Sequence, residues 1–208
     1  MSKPRGIFLA IEGIDGAGTS SQAALLSSRL LALGHPTHLT AEPSKGPVGL
    51  LIRQLLGQLS EPPDPAALAL LFAADRLDHL RREIEPALED GRMVISDRYV
   101  LSSLAYQSLQ NPLPWVEEIN RFAPPPDLTV LLHVEAEVAA ARRASRGGHE
   151  EIFDALPTQR LLVSRYAELA ARRTEQRVVV LDGSPDIETV AAALERIALD
   201  ALESRDAG

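Results

Sequence analysis

The chain contains no cysteine. That absence excludes disulfides, thiolate catalysis and cysteine-ligated zinc or iron–sulfur sites. A basic excess is missing too, since 29 Asp and Glu stand against 21 Lys and Arg, a formal net charge of −8. Polyanionic partners need a basic surface, so neither nucleic acid nor a membrane surface is an expected partner. Any phosphate the protein handles must be gripped by a local cluster of cations. Long apolar runs are also absent. The longest, Ala66 to Ala74, falls far short of the ~20 residues that span a bilayer. The apolar stretch beginning at Ile7 stops at Glu12, too early for a secretory leader, so a soluble, cytoplasmic protein is expected. The five histidines show no metal-ligand spacing, because His35 and His38 straddle Pro36. No Ser-His-Asp arrangement can be drawn from them either.

What is present reads as an ordinary globular chain. Its 208 residues are 45% hydrophobic and 24% charged, enough to bury a sizeable core as one domain over 1–208. Short apolar runs at Ile7–Ile11, His38–Ala41, Met93–Ser96, Leu128–Val134 and Val178–Leu181 read as buried strands. Segments of helical period separate them. That alternation predicts an α/β fold, a five-stranded parallel sheet with helices on both faces.

Helix punctuation agrees. One helix from about Ser20 aligns Leu26, Leu30 and Leu33 and stops at Gly34, with Pro36 beyond it,. Another opens on Asp64 as N-cap with Pro65 at N1 and runs past His79,. A last one begins at Ser184–Pro185 with Asp186 in its first turn, where a carboxylate suits the helix dipole. The proline-rich stretches Glu61–Pro65 and Ala123–Pro126 are loops of connection length.

The sharpest local signal joins the first strand to the first helix: Gly13-Ile14-Asp15-Gly16-Ala17-Gly18-Thr19-Ser20-Ser21. Its context fits a phosphate-binding P-loop, G-x-x-x-x-G-K-[ST], in which glycines let backbone N–H groups curl around phosphate oxygens. Ser20 stands where the magnesium-binding hydroxyl belongs. The motif's lysine is absent, and Thr19 holds its position. An ammonium bonded to phosphate is worth roughly 1.5–3 kcal/mol, so its loss matters unless another cation substitutes. On this segment alone, a glycine-rich turn that binds nothing serves equally well.

Three further constellations bear on the choice. Phe72, Arg76 and His79 share a helix face by spacing,, and an aromatic ring beside a guanidinium can hold a flat base; the alternative is a core ring and a locally paired arginine. Asp97-Arg98-Tyr99 ends a strand at the carboxyl edge, where open α/β sheets bind ligands,. Asp97 could hold magnesium and Arg98 a phosphate, while Ser102, Ser103, Tyr106 and Gln107 follow at helical spacing as hydrogen-bonding groups. Arg142, Arg143 and Arg146 precede Gly147-Gly148, either as a lid over a transferring phosphate or as a solvated helix end. Lys45, after Glu42-Pro43-Ser44, is a loop cation on the expected substrate side.

In order and spacing these segments resemble the thymidylate kinases of the P-loop nucleoside-monophosphate kinase superfamily, from about Ile7 to Leu181. The resemblance is carried by the Glu-Gly-Ile-Asp-Gly-Ala-Gly turn, Glu42-Pro43, Leu71-Phe72-Ala73-Ala74-Asp75-Arg76, and Asp97-Arg98-Tyr99 through Tyr106-Gln107. It implies Mg²⁺-dependent transfer of the ATP γ-phosphoryl group to dTMP, giving dTDP and ADP for dTTP synthesis, in a homodimer. It further implies ATP binding by 13–21, with Ser20 and Asp97 at the metal. The acceptor would lie among 42–80 and 97–107, contacted by Asp15, Glu42, Lys45, Phe72, Arg76, Arg98, Ser103, Tyr106 and Gln107. Phe72 would stack the thymine, Arg76 would contact base or phosphate, and Arg98 would hold the acceptor phosphate. Tyr106 would favour deoxyribose. Asp15 looks like the family's P-loop carboxylate. With no arginine in the P-loop, Arg142, Arg143 and Arg146 look like the lid set, in a lid at about 141–154. A lid arginine, or Lys45, is expected to take over part of the missing lysine's role. The alternatives are a nucleotide-binding protein catalytically impaired at Thr19, and a kinase for another pyrimidine monophosphate.

Overall fold

The structure, a computed structural model, describes residues 4–57, 62–146, 152–173 and 177–206. Five strands form one sheet: β1 (Phe8–Glu12), β2 (Thr37–Ala41), β3 (Met93–Asp97), β4 (Leu128–His133) and β5 (Val178–Asp182). All pairings are parallel, in the order β2-β3-β1-β4-β5. The expected fold class stands, with strand ends shifted by about one residue. Every residue of β1 is buried, as a central parallel strand covered on both faces requires. Its side chains alternate between two cores. Leu9 and Ile11 pack with Leu26, Leu30 and Ile95, whereas Phe8 and Ala10 pack with Leu80, Ile84, Val94 and Tyr99.

Helix α1 (Thr19–Ala32) buries Ala23, Leu26 and Leu30. Gly34 terminates it at φ +87°, a left-handed C′ glycine. Leu33 does not join the buried stripe; it is the cap residue and is exposed, because the helix ends one residue before it. Helix α2 (Pro47–Leu56) follows the loop after β2. Helix α3 (Pro65–His79) opens as the sequence predicts, the Asp64 carboxylate accepting from the Ala66 and Ala67 amides at 2.9 Å each. It runs on through a wide turn, Leu80–Ile84, into α4 (Glu85–Glu89).

Helices α5 (Val100–Gln107) and α6 (Leu113–Ile119) lie between β3 and β4, and α7 (Ala136–Arg146) and α8 (Leu156–Arg172) between β4 and β5. The last helix, α9, spans Ile187–Asp206, later than its sequence signal. Asp186 lies just before it and accepts the Glu188 and Thr189 amides at 3.1 and 3.0 Å. It acts as a cap, because a side chain outside the helix can reach the free N–H groups of the first turn. Among the described residues, no helix is long and apolar enough to cross a membrane.

The strand order positions the site. The chain leaves β1 toward β2 and β3 on one side and returns to β4 on the other, so connections diverge at the carboxyl ends of β1 and β3. Ile11 pairs with Asp97 across them, which brings the glycine-rich turn and Asp97-Arg98 side by side.

Candidate active site

A cleft of about 400 Å³ opens at that edge. Its floor is the glycine-rich turn. Gly16 and Gly18 adopt φ +91° and +98°, a region costly for residues bearing a Cβ. Gly16 is also packed tightly, since a Cβ there would lie 2.4 Å from the Ala139 carbonyl oxygen of α7. Gly18 caps α1 with no side-chain hydrogen bond, so the first-turn amides suit an anion. Thr19 is buried and lines the cleft beside Ser20. Gly13, Ile14 and Ala17 are buried as loop scaffold, and Ser21 is exposed outside the lining.

The Ser20 hydroxyl donates to Asp97 Oδ2. Asp97 Oδ1 is buried without a hydrogen-bond partner. One hydroxyl beside one carboxylate with a spare oxygen fits Mg²⁺, which binds through one or two protein oxygens plus substrate phosphates. Among the described residues no three His, Asp or Glu side chains converge on a metal cage.

Arg98 is the hub. Its backbone is left-handed at φ +72°, and neighbours clamp it. Its amide donates to Ile11 O at 2.8 Å, its carbonyl accepts from Ser96 Oγ at 2.7 Å, and the next amide, of Tyr99, donates to Glu12 Oε1 at 2.9 Å. Its guanidinium donates to Gly13 O at 2.8 Å, to Asp15 Oδ1 at 2.6 Å and to Ser102 Oγ at 3.2 Å. Burial opposes its charge, but the oxygens of Tyr106, Asp15, Tyr166 and Asp97 more than offset this and hold it protonated,. Burial also pushes the Glu12 carboxyl above its ordinary range, against the pull of Ser102 and of Arg98 and Arg76. The phenols of Tyr106 and Tyr166 are raised by burial, so Tyr106 remains a neutral donor, 2.8 Å from Asp15 Oδ2.

The far wall is built on α3. Arg76 is 1% exposed and fully engaged: Nε and Nη2 meet Glu42 Oε2 at 2.9 and 2.7 Å, Nη1 donates to Asn120, and Nη2 donates to Ser103 Oγ at 2.9 Å. Its partner is therefore Glu42, not a neighbour on its own helix. Asp75 instead accepts the Ser44 amide at 2.7 Å, and Asp78 pairs with Arg82. Phe72 is half-buried and lines the cleft with Ser103, Tyr106 and Gln107. Gln107 Oε1 is buried without a hydrogen-bond partner. His79 shares the Phe72 face only by spacing. It turns to Thr40 Oγ1 at 2.7 Å and Glu42 Oε1 at 3.3 Å, outside the lining. Lys45 is exposed and does not line the cleft.

The expected arginine set divides. Arg143 lines the cleft and donates to the Asp15 carbonyl, and to Asp154 O at 3.1 Å. Arg142 does not line the cleft; it donates to the carbonyls of Gly183 at 2.8 Å and Ser184 at 3.0 Å on the β5–α9 loop, and at 3.4 Å to Ala17 O of the glycine-rich turn. The side chain of Arg146, and residues 147–151 of the expected lid, lie outside the described residues.

The glycine-rich turn and the α3 wall thus share one cleft, and comparison with known proteins supplies the family. The thymidylate kinase family model matches residues 11–194. The chain belongs to that family. It is 42% identical over 186 residues to a probable thymidylate kinase of Pyrobaculum aerophilum, covering 89% of this chain and 92% of that protein. A probable thymidylate kinase of Pyrococcus abyssi is 42% identical over 180 residues, 84% of this chain and 88% of its own. The thymidylate kinase of Ruegeria pomeroyi is 39% identical over 206 residues, 95% of this chain and 96% of its own.

This family member also uses residues that sequence reasoning passed over. Glu12 anchors the Arg98 turn; a carboxylate in an otherwise apolar strand was its signal. Gln159 donates to Asp15 Oδ2 at 3.2 Å and to Phe153 O at 2.8 Å, tying α8 to the P-loop. Arg53 reaches the cleft from α2 and donates to Pro43 O. Neither had a local signal, since each partner is distant in the chain or across a loop.

Proposed function

We propose that the protein is a cytoplasmic thymidylate kinase, transferring the ATP γ-phosphoryl group to dTMP and releasing dTDP and ADP. The observation that carries this reading is the Arg98–Asp15 pair at 2.6 Å, which joins the phosphate-binding loop to the acceptor wall. ATP phosphates belong on loop 13–20 and the α1 terminus. dTMP belongs between 42–80 and 97–107, its thymine against Phe72 and beside Arg76, Ser103 and Gln107, and its phosphate on Arg98. Tyr106, bonded to Asp15, closes the space beside the sugar and disfavours a 2′-hydroxyl. Ser20 and Asp97 would hold Mg²⁺, which when bound neutralises phosphate charge. An oxygen of the dTMP phosphate bonds to the γ-phosphorus as the bond to the β-bridging oxygen breaks, and ADP leaves with that electron pair. The chain's residues position and neutralise charge and form no covalent bond.

An ADP-release assay with ATP and Mg²⁺ tests this, offering dTMP beside dUMP, UMP, CMP and AMP. Turnover greatest with dTMP, weaker with dUMP and least with the ribonucleotides is expected. Preference for another monophosphate overturns the substrate. Absence of turnover in a folded, dTMP-binding protein leaves a binding-only relative.

We infer a homodimer as well. Helices α2 and α3 pack together, and α3 leaves Leu70, Ala74 and Leu77 exposed at helical spacing while α2 leaves Leu50 and Leu51 exposed. Apolar stripes of this kind are covered by a partner. Sedimentation should give twice the chain mass, with Leu70→Glu/Leu77→Glu monomeric; a monomeric wild type at micromolar concentration contradicts it.

A further inference from the structure

The P-loop lacks its lysine, and the geometry points to Arg143 as the side chain that carries the missing charge. This inference rests on the kinase reading. Among the described residues, four arginines line the cleft: Arg53, Arg76, Arg98 and Arg143. Three are committed to the acceptor side or its junction. Arg53 is bonded to Pro43 O, Arg76 is enclosed by Glu42 and Asn120, and Arg98 bridges Asp15 and the acceptor wall.

Arg98 and Arg143 both reach the phosphate-binding loop from outside it, but Arg98 is held there by the Asp15 carboxylate and the Gly13 carbonyl, whereas Arg143 is delivered from α7. Its helix touches the loop at Gly16, where a Cβ would meet Ala139 O at 2.4 Å and Arg143 Cγ at 3.1 Å. The guanidinium rests on the Asp15 carbonyl and Asp154 O, with the Asp154 carboxylate 3.3 Å from Nε. Two of those contacts are to neutral carbonyls, which a polyphosphate oxygen replaces with gain, because opposite full charges add a Coulomb attraction that a neutral carbonyl lacks. Arg142 is not equivalent: it does not line the cleft, its short hydrogen bonds go to the Gly183 and Ser184 carbonyls, and it meets the loop only at Ala17 O, at 3.4 Å; Lys45 is exposed off the cleft.

Thr19 accommodates this division. It is buried, with its Cγ2 3.2 Å from where a Cβ on Gly13 would lie. The methyl thus packs the inside of the loop, and the charge comes from α7. Arg143 contacts the transferring phosphate oxygens of the nucleoside triphosphate, the task the motif gives to lysine.

A double-mutant cycle decides the matter, using the wild type, Arg143→Gln, Thr19→Lys and the double variant. Both kcat/KM for ATP and the Kd of ATP are measured on each. Arg143→Gln alone should lower kcat/KM by about 10²–10³-fold. In the Thr19→Lys background the same change should cost under about tenfold, because the lysine covers the lost charge. Thr19→Lys alone should gain less than about tenfold. Equal losses in the two backgrounds, or a larger gain from Thr19→Lys alone, overturn the assignment. If the wild type binds ATP but turns over no acceptor, the kinase reading fails, and non-additivity in the ATP Kd still tests Arg143. Thermal unfolding confirms that each variant is folded, and Arg143→Met replaces Arg143→Gln if the latter is not.

Discussion

Arg98→Ala should lower kcat/KM for dTMP by about 10²–10³-fold. Each charge-assisted hydrogen bond to phosphate contributes roughly 1.5–3 kcal/mol, and a two-pronged guanidinium makes two. At about 1.4 kcal/mol per tenfold, two such bonds reach that range. The change also leaves the Asp15 carboxylate without its ion-pair partner at 2.6 Å. A companion variant separates chemistry from strain. Residue 98 sits at φ +72°, where a Cβ costs about 1–2 kcal/mol and glycine costs little. Arg98→Gly should therefore be as inactive as Arg98→Ala yet more stable by about 1 kcal/mol. Steady-state kinetics and urea unfolding of the two variants check both statements. An Arg98→Ala enzyme within tenfold of wild type would remove Arg98 from the acceptor phosphate.

The second large effect is on stability. Arg76→Met should destabilise the fold by about 3–5 kcal/mol, because it strips the counter-charge from a buried carboxylate. The Glu42 side chain is only 3% exposed and that of Arg76 1%, so water cannot replace the lost partner. Asn120 and Ser103 lose a donor at the same time. Against a net stability of about 5–15 kcal/mol, the loss is large enough to lower the unfolding midpoint plainly in urea. Adding Glu42→Gln should recover part of it, since the unpaired charge is then gone. If Arg76→Met costs less than about 1 kcal/mol, or Glu42→Gln recovers nothing, the pair is not what holds this wall of the cleft. dTMP binding should fall in both variants, because Arg76 and Ser103 line the cleft in which dTMP is proposed to bind.

Much of the site was legible because its chemistry is written in short segments. The turn from Gly13 to Ser20, the step from Asp97 to Arg98, and the helical spacing of Ser103, Tyr106 and Gln107 each depend on nearest neighbours and element type. Those elements formed where period and punctuation placed them. Arg76 was legible as a cleft residue but not as the partner of Glu42, because the two meet only when α3 packs over the end of β2. His79 shows the limit of spacing. Three residues beyond Arg76 on the same helix, it is drawn to Thr40 and Glu42 and away from the cleft.

By itself, the sequence determined the alternating strands and helices, the phosphate-binding turn and its lost lysine, because these are properties of local pattern and residue chemistry. Only the tertiary structure decided which cations lie beside that turn. Arg142 and Arg143 are adjacent, yet a helix turns about 100° per residue, so Arg142 is bound mainly by the β5–α9 loop and only Arg143 lines the cleft. Direction around a helix has meaning only once the helix has a fixed neighbour, and here that neighbour is Gly16, pressed against Ala139.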